Sequence, residues 1–219
     1  MAAGWRWAAL LVAFFVATTA LSRVGGARKA ARTADVVAKG GERDAVQVLA
    51  NGGLFAAAAL GALVVPHPAW AAFGVGTLAA ATADSWATEI GTLAARPPRS
   101  VLGWRPVPTG TSGAVSAAGS LASVGGALFV AALALLLGFP TAVAAAAALG
   151  GVAGAAADTL LGATAQARRR CPRCATGTER IVHGCGERTQ AAGGLPWMDN
   201  DVVNLLAAAI GGLVTVALA

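Results

Sequence analysis

The sequence GGLFAAAALGALVVP at residues 52–66 recurs as GALFVAALALLLGFP at residues 126–140, an offset of 74 residues. The match continues without a gap through a second apolar segment, where Asp84 corresponds to Asp158. Each copy therefore contains two long apolar segments followed by a short stretch with Arg and Pro. A repeat of this length indicates two related units within one fold.

The composition excludes a soluble domain. Of the 219 residues, 57% are apolar and 12% are charged, whereas soluble domains have about 45–50% and about 25%. A bilayer must solvate the excess, which excludes a soluble enzyme, a disordered protein and a nucleic-acid-binding module despite the net charge of +6. The abundance of Ala and Gly favours closely packed helices over a β-barrel.

Six hydrophobic segments are each near the length of about 20 residues that crosses a bilayer as a helix. They occupy residues 5–21, 45–65, 69–93, 112–137, 141–165 and 202–219. The first also has features of a signal peptide, but Trp5 and Trp7 at its start and the basic stretch after it favour a true span. We predict an all-α polytopic transmembrane bundle of about six spans, one domain over residues 1–219. Its two-span repeats are expected to share one orientation about a pseudo-twofold axis along the membrane normal.

The basic residues predict the orientation. Every Lys and Arg except Arg6 lies in one of three alternate loops, at residues 22–44, 94–111 and 166–198. The positive-inside rule places these loops in the cytoplasm and both termini on the other side of the plasma or inner membrane.

Acidic and amide side chains lie near the cytoplasmic ends of the predicted spans. A charge inside a bilayer costs about 2.5–3.5 kcal/mol on insertion scales and usually marks a functional site. The spans with these acids contain no Lys or Arg, so we expect no basic side chain to neutralise them, and several hard oxygen ligands favour Mg²⁺. The alternative is that the acids are protonated, or bonded to Ser85, Thr88 and Thr159, and only hold helices together. The predicted catalytic and magnesium-binding residues are Asp84, Glu89, Asp158 and Asp201, assisted by Asn51, Asn200 and Asn204.

A stretch rich in Gly and Thr opens the fourth predicted span. Hydroxyl and N–H groups at a helix N-terminus can bind phosphate, and an ordinary helix cap would use the same residue types. Nearby arginines favour the phosphate interpretation. The predicted phosphate ligands are Thr109, Gly110, Thr111, Ser112 and Gly113, together with Arg43 and Arg105.

The last cytoplasmic loop, residues 166–198, contains the pattern Cys-x2-Cys-x8-His-x-Cys. Its members are Cys171, Cys174, His183 and Cys185. In a reducing compartment three thiolates and one imidazole make a closed tetrahedral Zn²⁺ site of structural type. The spacing is equally compatible with free thiols.

Five motifs appear in one order: QVLANG (47–52), ADSWATEIG (83–91), GTSG (110–113), DTLLGATAQ (158–166) and NDVVN (200–204). On these motifs the chain resembles the integral-membrane family that contains the plant phytyl-phosphate kinase and a related animal transmembrane protein. The resemblance implies transfer of the terminal phosphate of a nucleoside triphosphate, CTP being favoured, to a prenyl monophosphate among the membrane lipids. It also implies a substrate-binding role for Gln166.

Two other functions stay open at this point. One is a different CTP-dependent phospho- or cytidylyltransferase that acts on lipid, and the other is a transporter of cations or metabolites. Transporter sites usually lie near the bilayer centre, whereas these acids crowd the predicted cytoplasmic side, which favours an enzyme. No Walker A motif is present. A monomer and a homo-oligomer are both compatible with the sequence.

Overall fold

The structure, a computed structural model, describes residues 4–38 and 45–219. Arg43, a predicted phosphate ligand, lies outside these residues. The helices are α1 (Gly4–Arg23), α2 (Gly26–Thr33), α3 (Ala45–Val64), α4 (Pro68–Gly91), α5 (Ala117–Leu136), α6 (Thr141–Thr164) and α7 (Asn200–Leu218). The strands are β1 (Arg99–Ser100), β2 (Ala114–Val115), β3 (Arg168–Arg170), β4 (Gly177–Thr178) and β5 (Gln190–Gly193).

The helical membrane bundle predicted from the sequence is confirmed. Within the described residues five helices are long and apolar enough to cross a membrane, namely α1, α3, α5, α6 and α7. The remaining long helix, α4, packs against all five of them, and every residue from Gly74 to Ala83 is buried. Because α4 faces protein on most sides, it can carry polar residues that a lipid-facing helix could not.

The internal repeat is visible as two helical hairpins of equal dimensions. The 20-residue α3 and 24-residue α4 correspond to α5 and α6, which have the same lengths. Both hairpins contact α7 through equivalent glycines, since a Cβ atom built on Gly76 or Gly150 would lie 2.2 or 2.1 Å from Thr215 Oγ1. Small residues of this kind allow membrane helices to approach closely, and here they seat α7 between the two repeats.

The connections that begin or end at Arg23, Gly91 and Thr164 meet at one end of the bundle, here called the arginine-rich end. Arg32 of α2 donates from Nη1 to the carbonyl oxygens of Thr92 and Ala94, at 2.7 Å each. In the connection between α6 and α7, the backbone N–H of Glu179 donates to Val36 O at 2.8 Å. The three connections therefore form one layer across this end.

The predicted cysteine loop, residues 166–198, contains a small antiparallel sheet of strand order β4-β3-β5. Arg169 of β3 pairs with Thr178 on one side and with Ala191 on the other. Most residues of the three strands are exposed, so this sheet buries little apolar surface of its own.

At the opposite end of the bundle, aromatic side chains form the contact between helices. The ring of Trp7 lies 5.2 Å from that of Phe55 and 5.7 Å from that of Phe139, between centroids. Arg6 donates from Nη1 to Gly138 O at 3.0 Å. This ties α1 to both repeats, because Phe55 belongs to the first and Gly138 to the hairpin turn of the second.

Candidate functional site

Polar side chains from four helices line one narrow gap inside the bundle, here called the acid cavity. It is lined by Asn51 of α3, Asp84 of α4, Asp158 of α6 and Asn204 of α7, with an apolar wall of Ala80, Ala81, Ala207 and Ala208. The two aspartates are the residues that the repeat makes equivalent. In the structure the two side chains meet between the repeats.

Small residues next to the cavity explain why these side chains meet. A Cβ atom on Gly154 would lie 2.4 Å from Ala80 Cβ and 2.8 Å from Ala207 O. A Cβ atom on Gly211 would lie 2.6 Å from the same Ala80 Cβ. Helices α4, α6 and α7 therefore touch almost at their backbones, one turn from the polar residues, and this close approach brings the aspartates together.

The hydrogen bonds within the cavity leave some side-chain oxygen atoms available to bind a ligand. Asp158 lies within hydrogen-bonding range of Asp84, while its Oδ2 atom is buried and makes no hydrogen bond to the described part of the chain. Asn51 donates from Nδ2 to Gln47 O at 2.9 Å, which leaves its amide oxygen for a ligand. The Thr159 hydroxyl donates to Ala155 O, so it is not the donor to Asp158 that one form of the packing alternative proposes.

The acid cavity is narrow in this arrangement. The space between its lining residues is too small to hold a water molecule. An ion that keeps some of its water ligands, as Mg²⁺ does, would require the side chains to separate. A phosphate group would require the side chains to separate or would lie beyond them, towards the arginine-rich end.

Glu89 lies on a different face of α4 and has a basic partner. Lys29 of α2 places Nζ 2.5 Å from Glu89 Oε2, and the same Nζ donates to Leu21 O and Ser22 O at 2.9 and 3.0 Å. The expectation that no basic side chain neutralises the acids is wrong for Glu89, because a helix outside the predicted spans delivers the lysine. Glu89 is therefore not among the residues that line the acid cavity.

We expect Lys29→Met to lower the free energy of unfolding by about 2 kcal/mol, because it leaves the Glu89 carboxylate mostly buried without its counter-charge. The side chains of Lys29 and Glu89 are only 10% and 19% exposed. Thermal unfolding followed by tryptophan fluorescence measures the loss. The double variant Lys29→Met/Glu89→Gln should recover part of it. Equal or greater destabilisation in the double variant would contradict this account.

The two other predicted ligands on α7 differ in burial: Asp201 is buried and Asn200 is exposed. Asp201 is buried in the first turn and lies three residues before Asn204, so both occupy one face of the helix. Asn200 is exposed and does not line the cavity. The Asp199 carboxylate caps the helix by accepting a hydrogen bond from Val202 N at 3.0 Å.

The predicted phosphate-binding stretch, Thr109 to Gly113, does not form a helix N-terminus. Helix α5 begins at Ala117, and the Ser116 side chain caps it by accepting from Gly119 N at 3.1 Å. The prediction of a helix-end phosphate site is corrected here. The stretch is a turn, in which Gly110 and Gly113 have positive φ angles of 91° and 73° and strand β2 follows before the helix.

The side chains of this turn are used in protein contacts. Ser112 Oγ donates to Glu179 Oε1 at 2.5 Å, and Thr111 Oγ1 donates to Pro108 O at 2.7 Å. A Cβ atom on Gly113 would lie 2.4 Å from Ala163 Cβ, so the turn packs tightly on the end of α6. Thr109 is half-buried and Arg105 is exposed.

Glu179 is an acid that the sequence analysis did not identify, and it accepts hydrogen bonds from two of the predicted ligands. Its Oε1 atom accepts from Ser112 and also from Gln166 Nε2, at 2.7 Å. Burial raises the pKa of Glu179, and the hydrogen bonds from Ser112, from the Ala38 backbone and from Gln166 partly offset the rise. Its partners are 67 and 13 residues away along the chain, so no local pattern could reveal it. The predicted substrate ligand Gln166 is thus engaged with Glu179.

The four predicted zinc ligands come together. One ligand atom from each of Cys171, Cys174, His183 and Cys185 lies within 4.8 Å of the others, and all three thiols are free. The hydrogen bond from His183 lowers the pKa of Cys185 to about 6, whereas hydrogen bonding to Cys185 raises the pKa of Cys174 to about 11. The cluster can therefore hold a thiolate at neutral pH.

Comparison with known proteins agrees with the resemblance drawn from the motifs. A family model described as integral membrane protein DUF92 matches residues 1–212. Protein PGR of Arabidopsis thaliana is 31% identical in an alignment 233 residues long, which covers 93% of this chain and 78% of the relative. An uncharacterized membrane protein of Methanocaldococcus jannaschii is 34% identical over 161 residues, 73% of this chain and 65% of the relative. No solved structure matches the chain. The chain belongs to the DUF92 family of integral membrane proteins.

Proposed function

We propose that this membrane protein is a magnesium-dependent prenyl-phosphate kinase that transfers the terminal phosphate of a nucleoside triphosphate, CTP being favoured, to a prenyl monophosphate. The observation that carries the proposal is the acid cavity. Two aspartates and two asparagines from four helices converge in one cavity towards the arginine-rich end of the bundle. Packing alone does not require four such groups, because each polar side chain taken into a membrane interior costs free energy.

The donor set of the cavity fits Mg²⁺. Carboxylate and amide oxygens are the hard ligands that this ion prefers, and the buried Asp158 Oδ2 atom makes no hydrogen bond to a described residue. Asp84 and Asp158 would hold the ion, with the amide oxygens of Asn51 and Asn204 as further ligands. Bound magnesium would supply positive charge that screens the polyphosphate.

The reaction needs no strong base from the protein. An oxygen of the prenyl monophosphate attacks the terminal phosphorus of the nucleotide, a new P–O bond forms, and the bond to the bridging oxygen breaks as the nucleoside diphosphate leaves. The attacking oxygen is already anionic, so the protein has to position the two substrates in line and offset their negative charge. The arginines of the surrounding loops provide part of this charge.

The location of the acids suggests where each substrate binds. Asp84 lies seven residues before the end of α4 at Gly91, or about 10 Å along a helix that rises about 1.5 Å per residue. The prenyl chain would lie among the helices with its phosphate near this depth. The nucleotide would enter from the arginine-rich end, which we assign to the cytoplasm by the positive-inside rule.

The experiment measures phosphate transfer by the purified full chain in lipid nanodiscs. Geranylgeranyl monophosphate is incubated with CTP labelled at the terminal phosphate, with Mg²⁺ or with a chelator. Labelled prenyl diphosphate and CDP are expected with Mg²⁺ only. Release of pyrophosphate from CTP would show a cytidylyltransferase instead, and cation flux in proteoliposomes without transfer would favour a transporter. No transfer from CTP, ATP, GTP or UTP would overturn the proposal.

Glu187→Gln provides the matched control for this assay. Glu187 is an exposed acid in the connection between α6 and α7, and no step of the proposed reaction uses its side chain. The variant makes the same acid-to-amide change as the variants of the cavity aspartates. It is expected to retain the activity of the unaltered protein.

A further inference from the structure

We propose that Cys171, Cys174, His183 and Cys185 bind one structural zinc ion, which fastens the connection between α6 and α7 to the segment that follows α2. The proposal does not depend on the kinase reaction, since it rests on residues outside the acid cavity.

The distances between the ligand atoms fit a tetrahedral ion. With Zn–S bonds of about 2.3 Å, two sulfur ligands lie about 3.8 Å apart. Cys171 Sγ and Cys185 Sγ are 3.7 Å apart, and His183 Nδ1 is 3.2 Å from Cys185 Sγ. A disulfide would require about 2.05 Å between the sulfur atoms. The spacing is thus that of two ligands of one ion.

The local backbone also supports a metal site. The N–H of Cys174 donates to Cys171 Sγ at 3.4 Å, so the turn between these two cysteines directs a backbone dipole at a sulfur atom. Such a hydrogen bond stabilises the sulfur in its thiolate form, which is the form that binds metal. Ala175, just after the turn, has a positive φ of 57°, which turns the chain back towards β4.

The carboxylate of Asp35 lies near the ring nitrogen of His183 that would not bind the zinc. His183 is buried, and its Nε2 atom makes no hydrogen bond to a described residue. Asp35 Oδ1 lies 3.9 Å from this Nε2. A histidine that binds zinc through one ring nitrogen usually donates its other N–H to a carboxylate or carbonyl group. Nδ1 therefore faces the ion, and Nε2 faces Asp35.

The sheet that carries the ligands has few other means of holding its shape. Thr178 Oγ1 donates to Val36 O at 3.2 Å, and Arg180 Nη1 donates to Ala34 O at 2.6 Å. These contacts join the sheet to the segment after α2, but the strands are largely exposed. Because a metal ion can supply the folding free energy that so small a core lacks, zinc would fix the sheet and, through it, the position of Glu179.

The first experiment measures zinc in the protein as purified without chelators. The chain has three cysteines and two histidines, and all three cysteines belong to the cluster, so thiol chemistry reports on this site alone. We expect one zinc ion per chain by mass spectrometry of the metal, and its release when a mercurial reagent modifies the thiols. Substitution by Co²⁺ should give the absorption bands of tetrahedral sulfur coordination.

Two histidine variants form a matched pair. His183→Ala is expected to lose the zinc and to lower the unfolding temperature. His67→Ala, in the turn before α4 at the opposite end, should keep the zinc, because it removes only the hydrogen bond by which His67 Nδ1 accepts from Ala69 N at the start of that helix. If His183→Ala does not fold, the metal content and cobalt spectrum of the unaltered protein decide the question. Zinc-free protein that gives no cobalt spectrum would overturn the proposal, as would a Cys171–Cys185 disulfide.

Discussion

Asp158→Asn is expected to lower the rate of prenyl-phosphate phosphorylation about 100-fold or more, the scale of losing a charged group that stabilises a transition state. Asn has nearly the shape of Asp but lacks the negative charge that holds a divalent cation. The unaltered protein should also unfold at a higher temperature when Mg²⁺ is added, because a ligand that binds the folded state stabilises it by mass action. This increase should disappear in the variant.

The same substitution distinguishes the proposed role from a purely structural one. If Asp84 and Asp158 only share a proton and hold α4 against α6, Asn can keep the hydrogen bond while removing the repulsion between two acids. The variant would then be as stable as the unaltered protein and equally active. That result, together with unchanged activity of Asp84→Asn, would remove the magnesium site. Glu187→Gln serves as the control for the change of charge.

Gly76→Val should lower the free energy of unfolding by about 3 kcal/mol, at the upper end of the usual cost of overpacking a core. A Cβ atom at this position would lie 2.2 Å from Thr215 Oγ1 and 2.8 Å from Gly211 O. Thr215 is fully buried and bonded to Gly211 O at 2.8 Å, so it cannot move aside without breaking that hydrogen bond. Unfolding in increasing denaturant measures the difference.

Gly53→Val is the matched control. Gly53 lies in α3, and the nearest atoms to an added Cβ are those of Leu49 in the same helix, at 4.0 Å. This variant should unfold within about 0.5 kcal/mol of the unaltered protein. If Gly76→Val were equally well tolerated, α7 would not be seated between the two repeats as the structure has it.

The prediction of the fold succeeded where the signal was local or repeated. Apolar segments of bilayer length predict membrane helices. In lipid the backbone can satisfy its own hydrogen bonds only in helices or in closed barrels. The correspondence of residues 52–66 with 126–140 then related two hairpins and made Asp84 and Asp158 equivalent. Their convergence follows once the hairpins pack side by side.

The prediction of the site was weaker where partners come from distant connections. Glu89 was grouped with the other acids, yet Lys29 from α2 pairs with it across 60 residues of sequence. The turn of Thr109 to Gly113 resembled a helix cap, but its close contact with Ala163 and the hydrogen bond from Ser112 to Glu179 make it a packed structural element. Neither outcome is encoded in the spacing of neighbouring residues.

Three properties follow from the order of residues: the chain enters a membrane, its central helices repeat, and the repeat makes Asp84 and Asp158 equivalent. These properties depend on hydrophobicity and periodicity, which act locally along the chain. Three others appear only when the chain is folded: the pairing of Glu89 with Lys29, the hydrogen bonds of the Ser112 and Thr159 hydroxyls, and the narrowness of the acid cavity. The reason is geometric: glycines at helix crossings set how closely backbones approach, and that approach decides which distant side chains meet.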